Sequence, residues 1–414
     1  MPEINSGDTA WVLISAALVL FMTPGLAFFY GGMVRSKNML AMLMQNIFAM
    51  GIVTVLWVLF GYSLAFGDFG NAGLIGNFDF LGLKDVAGTI YNPEVTGQTI
   101  PHLAFVAFQL TFAVITPALI TGAIADRMRW VAWVGFITLW SILVYLPVAH
   151  WVFAGGWLAD RGALDFAGGA VVHVNAGAGA LALLLLLGKR KGWPKTPMPP
   201  HNLPFTILGT GILWFGWFGF NAGSALAAGE LAAQAFLNTF VAAAAAMLGW
   251  LIVERLKDGH ATTLGAASGA VAGLVAITPC AGFVGGLAAV AIGLGAGALC
   301  FLAIQLKFKF GFDDSLDVIA VHLVGGLFGS VVLGLFADTA VNSLGKDGLF
   351  FGGGSKLLVE QIIAVVAVGI FSFVVSGIIG LFLKAVLPKG IRASEEEETT
   401  GLDLTQHAES AYQA

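Results

Sequence analysis

The sequence predicts an all-α polytopic membrane protein with eleven transmembrane helices, arranged as a 5+5 inverted repeat plus a long eleventh helix. Three observations support this fold class. The chain has 414 residues, of which 58% are hydrophobic and only 10% charged, whereas soluble domains carry about 25% charged residues. Eleven apolar runs approach the ~20 residues that cross a bilayer. A Val-His pattern in the fifth run recurs in the tenth.

The apolar runs are separated by short polar segments along the whole chain. They cover residues 9–32, 38–66, 101–125, 130–153, 167–188, 203–224, 231–253, 261–279, 282–305, 316–337 and 357–386. Glycine contributes 56 residues, about twice its usual ~7% share, which is typical of membrane helices that pack through small residues. The first eight residues lack the basic segment of a cleavable signal peptide, so we expect the first run to remain as a span. Cys280 and Cys300 lie in apolar surroundings, which predicts neither a disulfide framework nor a metal cluster.

Lysine and arginine are distributed unevenly between the two sides of the predicted spans. Fifteen of the nineteen follow odd-numbered runs: Arg35, Lys37, Arg127, Arg129, Lys189, Arg190, Lys191, Lys195, Arg255, Lys257, Lys307, Lys309, Lys384, Lys389 and Arg392. The other side carries only Lys84, Arg161, Lys346 and Lys356. Because basic loops stay in the cytoplasm, the sequence predicts a multi-pass protein of the cell membrane with its N-terminus outside and its C-terminus in the cytoplasm.

This topology divides the chain into seven segments. We expect an external N-terminus (1–8), a first five-helix repeat (9–188), a cytoplasmic linker (189–202), a second five-helix repeat (203–337), an external loop (338–356), the eleventh helix (357–386) and a cytoplasmic tail (387–414). The longest external loop, 67–100, lies within the first repeat. The tail contains four consecutive glutamates at 395–398, and such a charge run predicts a solvated, partly disordered end.

The repeat contains two histidines in otherwise apolar helices. "AVVHVNAG" (170–177) and "IAVHLVGG" (319–326) place His173 and His322 five spans apart. Because an odd number of spans separates them, the two helices cross the membrane in opposite directions, and the second half must be inverted relative to the first. In such repeats, equivalent helices meet at a substrate path near the midplane. A single histidine in an apolar helix is more often a hydrogen-bonded packing residue. Two at matching positions favour function, because ionisable groups are costly to bury in a membrane.

Asp165 lies eight residues before His173, at the start of the fifth run. A carboxylate followed by "FAGG" can cap the N-terminus of the helix by accepting its free N–H groups. A capped, ionised aspartate also lowers the free energy of a cation placed above it. We expect Asp165 both to cap the helix and to stabilise the cation.

These segments resemble the ammonium transporter (Amt/Rh) family, on its Amt branch. The motifs are "DFAGGAVVH" (165–173), "FGFNAGSA" (218–225), "DDSLDVIAVH" (313–322), "FQLTFA" (108–113) and the tail "GLDLTQHAESAY" (401–412). They cover essentially the whole chain in order, and the first two are individually specific. The resemblance implies electrogenic ammonium uptake as a nitrogen source, with no catalytic residue, cofactor, metal or nucleic acid.

The resemblance also implies a role for each of ten residues. The substrate-binding residues of an external vestibule are Phe108, Phe112, Phe153, Asp165 and Ser224. The gate is formed by Phe112 and Phe220, and the pore by His173, His322, Trp217 and Thr278. Phe153 stands where Amt members typically carry a tryptophan, so we expect weaker binding of the external cation.

The chemistry of ammonium favours a pathway with two stages. A cation that crosses ~30 Å of hydrocarbon loses hydration free energy that a protein restores only in part. Neutral ammonia loses only its hydrogen bonds to water. We therefore expect NH₄⁺ to be bound outside, deprotonated and conducted as NH₃ past two histidines that share a proton, each with its other ring edge toward the pore. The sequence leaves open whether the proton follows.

Partners and alternative functions follow from the same resemblance. It implies a homotrimer with one pore per subunit, transport of methylammonium as well as ammonium, and a PII-type trimeric signal protein on the cytoplasmic face. One alternative is an ammonium sensor that acts through a cytoplasmic partner. Another is an intramembrane hydrolase that uses an aspartate, a histidine and Ser224, but the "NAGSA" context lacks an oxyanion-hole signature.

Overall fold

The computed structural model describes residues 3–67, 73–91 and 98–412. Parts of the predicted N-terminus, of the long external loop and of the tail end therefore lie outside the described residues. The apolar helices α1 to α11 are Ser6–Met33, Ser36–Phe66, His102–Ile124, Trp130–Arg161, Gly169–Leu187, Leu203–Gly223, Glu230–Asp258, Thr263–Ile277, Gly286–Phe310, Ile319–Phe336 and Lys356–Val386. All described regular structure beyond isolated bridges is helical, which confirms the predicted fold class.

Ten of these helices are long and apolar enough to cross a membrane, and α8 is shorter. Its 15 residues extend for about 22 Å at ~1.5 Å per residue, less than the ~30 Å of a hydrocarbon core. Pro279 follows closely and disfavours continuation of the helix, although residues 278–284 remain buried in turns. The count of eleven full spans thus remains a prediction.

The two histidine helices, α5 and α10, begin alike and cross each other closely. Each starts in a π-helical turn, Gly169–Val174 in α5 and Ile319–Val324 in α10. Gly177 and Gly326 each lie four residues after a histidine and face the other helix. A Cβ atom on Gly177 would lie 2.7 Å from the Leu323 Cβ, and one on Gly326 would lie 3.0 Å from the His173 Cβ. The crossing therefore requires glycine on both helices.

The C-terminal tail packs on the body in two short helices, α12 (Glu395–Thr400) and α13 (Leu402–His407). The prediction of a solvated, partly disordered tail is wrong for its described part. Ser394 and Glu397 form a capping box that starts α12. We call the face of the molecule on which the tail packs the tail face.

Buried charge pairs hold the tail in place. The Glu398 side chain is 1% exposed, and its carboxylate lies 2.9 Å from Arg392 and 3.8 Å from Arg35. The Asp403 carboxylate accepts the backbone N–H groups of Leu40 and Ala41, where the α-helical part of α2 begins at Met39, at 3.0 and 2.8 Å. The acidic tail is ordered because basic groups and a helix N-terminus from distant parts of the chain meet it there.

Candidate functional site

A cavity of about 560 Å³ opens on the face opposite the tail and is called the vestibule here. Four of the five predicted substrate-binding residues line it: Phe112, Phe153, Asp165 and Ser224. Tyr91 and Gln109, which sequence reasoning missed, also line it. Burial raises the pKa of Tyr91 to about 12, so its hydroxyl is neutral at physiological pH. The vestibule combines aromatic faces with few polar groups.

Phe108 occupies a different place from the other four. Its side chain is fully buried, and its ring packs edge-on against Phe112 with the centroids 5.0 Å apart. It is absent from the vestibule lining among the described residues. Phe108 therefore supports Phe112 from behind, one helical turn away on α3.

Asp165 caps the N-terminus of α5 with both carboxylate oxygens. Oδ1 accepts the N–H groups of Gly168 and Gly169 at 2.8 and 2.7 Å. Oδ2 accepts those of Ala170 and Val171 at 2.9 and 3.2 Å. A carboxylate offers about four lone-pair sites, so this cap occupies all of them. The capping prediction is confirmed.

A pair of phenylalanine rings closes the floor of the vestibule. The Phe112 and Phe220 centroids are 4.4 Å apart, with 40° between the ring planes. Phe112 lines the vestibule above, whereas Phe220 lines a second cavity below. Phe153 meets Phe112 at 85° with the centroids 6.2 Å apart. Passage from one cavity to the other thus requires the phenyl rings to move.

The second cavity, called the lumen here, is narrow and mostly apolar. Its volume is about 10 Å³. One water molecule needs ~10–15 Å³, so the lumen has room for about one molecule of that size. The lining residues are Met22, Leu26, Ile115, Leu119, Val172, His173, Leu213, Trp217, Phe220, Val271 and His322. Four of them are predicted pore or gate residues: His173, His322, Trp217 and Phe220.

Thr278, the remaining predicted pore residue, acts on Trp217. Its Oγ1 accepts the indole N–H of Trp217 at 2.9 Å and donates to the Leu274 carbonyl at 2.7 Å. Thr278 is fully buried and is not part of the lumen lining in the described chain. It fixes the indole that packs against the His173 ring, with the centroids 5.5 Å apart.

The two histidines are in direct contact and almost completely buried. Their Nδ1 atoms lie 3.2 Å apart, and the ring planes differ by 19°. A hydrogen bond between them requires one Nδ1 to donate and the other to accept. His173 Nε2 has no hydrogen-bond partner in the described part of the chain. The repeat thus brings together two residues that are 149 positions apart.

Sequence reasoning missed Tyr30, which touches the second histidine. Its hydroxyl lies 3.3 Å from His322 Nε2 and 3.2 Å from the Leu119 carbonyl oxygen. The expectation that each histidine offers its other edge to the pore therefore needs correction for His322. The available signal was a phenol in the otherwise apolar segment "LAFFYGG", since buried tyrosine hydroxyls normally have a partner.

Comparisons with known proteins identify the family of the chain. Residues 10–412 match the model of the Ammonium Transporter Family. The chain belongs to this family. It is 54% identical over 436 aligned positions to an ammonium transporter of Mycobacterium tuberculosis (strain ATCC 25618 / H37Rv), covering 99% of this chain and 90% of the relative. An ammonium transporter of Bacillus subtilis (strain 168) is 52% identical over 411 positions and 99% of both chains.

Solved structures of the family share the fold. The crystal structure of Candida albicans Mep2 superposes with a TM-score of 0.89 and 36% identity, covering 95% of this chain and 88% of that one. A sensor Amt protein gives a TM-score of 0.88 and 31% identity over 98% of both chains. As a member of the ammonium transporter family, the protein is a membrane transporter and not an enzyme. The hydrolase alternative is therefore excluded.

Proposed function

We propose that the protein binds NH₄⁺ in the vestibule, removes its proton and conducts NH₃ through the lumen. The observation that carries this proposal is the order of the parts along one path. A wide cavity lined in part by Asp165 leads to a closed phenyl pair, and then to an apolar lumen with room for about one water-sized molecule. A hydrated cation fits the first part, and a small neutral molecule fits the last.

The vestibule holds the groups that a compact cation needs. The ring faces of Phe112 and Phe153 attract it, each with about 0.5–2 kcal/mol. Ser224 Oγ donates its proton to the Phe220 carbonyl at 2.8 Å, so its lone pairs remain available for an ammonium N–H. Asp165 supplies the balancing charge without a direct hydrogen bond, because its oxygens are occupied by the helix cap.

The hydrogen bonds around the histidines favour one tautomer arrangement. Tyr30 has a single hydroxyl proton, and the bond to Leu119 O uses it. Tyr30 Oη then accepts from His322 Nε2–H, so His322 Nδ1 accepts from His173 Nδ1–H. His173 Nε2 is left as a lone pair on the lumen. We infer that this atom accepts an N–H of the passing molecule and partly replaces its lost water.

Transport assays in proteoliposomes test this function. A pulse of NH₄⁺ on solid-supported membranes is expected to move charge, and ¹⁴C-methylammonium should enter the vesicles. K⁺ pulses are expected to move none, because the apolar lumen offers nothing in place of its hydration shell. A wild-type current carried by K⁺ would contradict the proposal. Signalling without measurable uptake would favour the ammonium sensor instead.

Topology and assembly complete the proposal. The tail face carries the basic loop residues, so we place it in the cytoplasm and the vestibule outside the cell membrane. We also propose a homotrimer with one pore per subunit and a PII-type signal protein that binds the tail face. Each subunit contributes both histidines of its own lumen, so no pore has to be shared.

Replacing Phe153 with tryptophan is expected to tighten apparent ammonium affinity about two- to fivefold. Among aromatic side chains, tryptophan attracts cations most strongly, and position 153 lines the vestibule. Concentration dependence of the ammonium current measures the change, and K⁺ should remain excluded. Trp151→Phe is the matched control, because the Trp151 indole points away and donates to the Leu74 carbonyl. Unchanged affinity in Phe153→Trp would show that position 153 does not contact the cation.

Deleting residues 401–414 is expected to lower transport and to abolish inhibition by the PII-type partner. The deletion removes the Asp403 cap from α2, which costs about 1 kcal/mol. Methylammonium uptake with and without the partner, together with the thermal unfolding midpoint, measures both effects. Deletion of residues 408–414 alone is the control, because it retains α13 and its contacts. A full truncation that behaves like the intact protein would leave the tail without a role.

A further inference from the structure

The vestibule extends outward beyond the Phe112 ring. Phe105, Gln109 and Phe112 all line it from α3, and their spacing of four and three residues places them on one face of the helix. At ~1.5 Å per residue, Gln109 lies about 4.5 Å and Phe105 about 10 Å outward of Phe112 along the helix axis. This outer part holds polar and aromatic groups that the proposed binding of NH₄⁺ at Phe112 does not use.

Gln109 has a hydrogen-bond acceptor that the protein leaves unused. The residue is 9% exposed, and its Oε1 atom is buried without a hydrogen-bond partner among the described residues. A buried acceptor that stays unpaired is costly. An ammonium ion carries only N–H donors, so its binding next to Gln109 would satisfy this oxygen.

An aromatic stack lies further out on the same wall. The Tyr91 ring, from the long external loop, stacks on the Phe105 ring with the centroids 3.8 Å apart and 6° between the planes. Phe105 is 2% exposed and Tyr91 is half-buried, so Tyr91 supplies most of the accessible ring surface. Ring faces attract cations. The outer vestibule thus combines a ring with an unpaired amide oxygen.

The segment before Tyr91 is fixed to the start of α3. The Thr89 carbonyl accepts the backbone N–H of His102 at 2.9 Å, and Thr89 Oγ1 lies 3.1 Å from His102 Nδ1. Ile90 and Pro101 form an antiparallel bridge. The Tyr91 ring is therefore held in place without a ligand, and such preorganisation favours binding.

We propose that the outer vestibule is a capture site for NH₄⁺, in which Gln109 Oε1 accepts an N–H and the Tyr91 ring covers the cation. This inference rests on the proposed function, since the captured ion is the one that Phe112 and Ser224 hold next. The capture site raises the rate of entry at low ammonium concentration. It leaves the rate of passage through the lumen unchanged.

The test uses the full-length protein and two measurements. The ammonium concentration that half-maximally raises the thermal unfolding midpoint, at constant ionic strength, reports binding without transport. The concentration dependence of the ammonium current in proteoliposomes reports capture. A wild-type protein that is stabilised by ammonium but carries no current would contradict the proposed function and leave the capture site standing.

Variants of Gln109 test its acceptor. Gln109→Met has nearly the same shape without the acceptor, and we expect both half-saturating concentrations to rise about three- to tenfold, as for one lost hydrogen bond, with an unchanged maximal current. Gln109→Glu retains an acceptor oxygen and should not raise them. Thr111→Val is the matched control, because Thr111 is a buried polar residue of the same helical turn that donates to the Phe108 carbonyl and does not line the vestibule.

Tetramethylammonium separates the ring from the hydrogen bond, because ring faces bind quaternary ammonium ions and this ion has no N–H group. We expect it to stabilise the wild-type protein. Tyr91→Leu should weaken this binding about two- to fivefold, whereas Gln109→Met should change it less than twofold. The proposal is overturned if Gln109→Met leaves ammonium binding and capture unchanged, if Thr111→Val shifts them equally, or if tetramethylammonium binding is absent or depends on Gln109.

Discussion

The Asp165→Asn variant is expected to lose more than about nine-tenths of its transport activity. Asparagine offers one acceptor oxygen, and its NH₂ group would face N–H donors of the α5 N-terminus. Two of the four capping bonds are therefore lost, which costs about 1–3 kcal/mol. The charge is also lost, so the uncompensated positive end of the helix, about half an elementary charge, faces the vestibule and repels the cation.

Uptake of ¹⁴C-methylammonium in cells without other ammonium transporters measures this effect. Asp8→Asn is the matched control, because Asp8 is also a hydrogen-bonded aspartate near a helix start, bound to Ala228 N and Thr99 Oγ1. It does not line the vestibule, so its activity should change less than about twofold, as for ordinary sites away from function. Normal expression of Asp165→Asn with more than half of the activity would contradict the assigned role.

The same variant tests the proposed trimer. If each subunit of a symmetric homotrimer has its own pore, trimers with one Asp165→Asn subunit should retain about two-thirds of their transport. Such trimers can be purified with two different affinity tags. Complete loss of transport would mean that the pores are shared or strictly coupled.

Replacing His173 with aspartate is expected to make the protein conduct K⁺. The wild-type lumen is narrow and is apolar apart from the histidines and Trp217, so K⁺ would lose its hydration there without replacement. A carboxylate near the midplane would bring water and a negative charge, and both stabilise a cation. The same reasoning applies to an acidic residue at position 322, which also lines the lumen.

Electrophysiology with alternating NH₄⁺ and K⁺ pulses measures this change in selectivity. The His173→Asp variant should show a K⁺ current within about tenfold of its ammonium current, a difference of ~1.4 kcal/mol. His173→Asn is the control, because it has nearly the same shape without the charge and should still exclude K⁺. An acidic variant that rejects K⁺ would show that selectivity arises in the vestibule and not in the lumen.

Local sequence patterns were sufficient to predict the helices and the histidine pair. Hydropathy located the apolar helices, and the recurrence of Val-His five spans apart predicted the contact between the two histidines on α5 and α10. Asp165 was recognisable as a cap because the first turn of its helix follows directly. By contrast, the ninth run was predicted to begin at residue 282, whereas residues 278–284 form buried turns and α9 begins at Gly286. Hydropathy reports burial and cannot distinguish a buried turn from a helix.

Features that depend on distant residues could not be predicted in this way. The order of the tail depends on the pairing of Glu398 with Arg35 and Arg392, and composition alone does not reveal such partners. Phe108 and Phe112 lie one turn apart on the same side of α3, so periodicity could not separate the ring in the vestibule from the ring behind it. The Tyr30 hydroxyl is visible in the sequence as a phenol in an apolar segment, but its contact with His322 follows only from where α10 packs.

The glycines at the crossing of α5 and α10 also determine how the passage can operate. Gly177 and Gly326 are each in close contact with the opposite helix. The two backbones therefore cannot approach each other further. We therefore expect the distance between the two helices at this crossing to stay constant during transport. The movement that opens the passage is then expected in the phenyl rings above it, Phe112 and Phe220. On this basis we expect molecules to pass one at a time, with no rocking of two halves of the protein for each molecule.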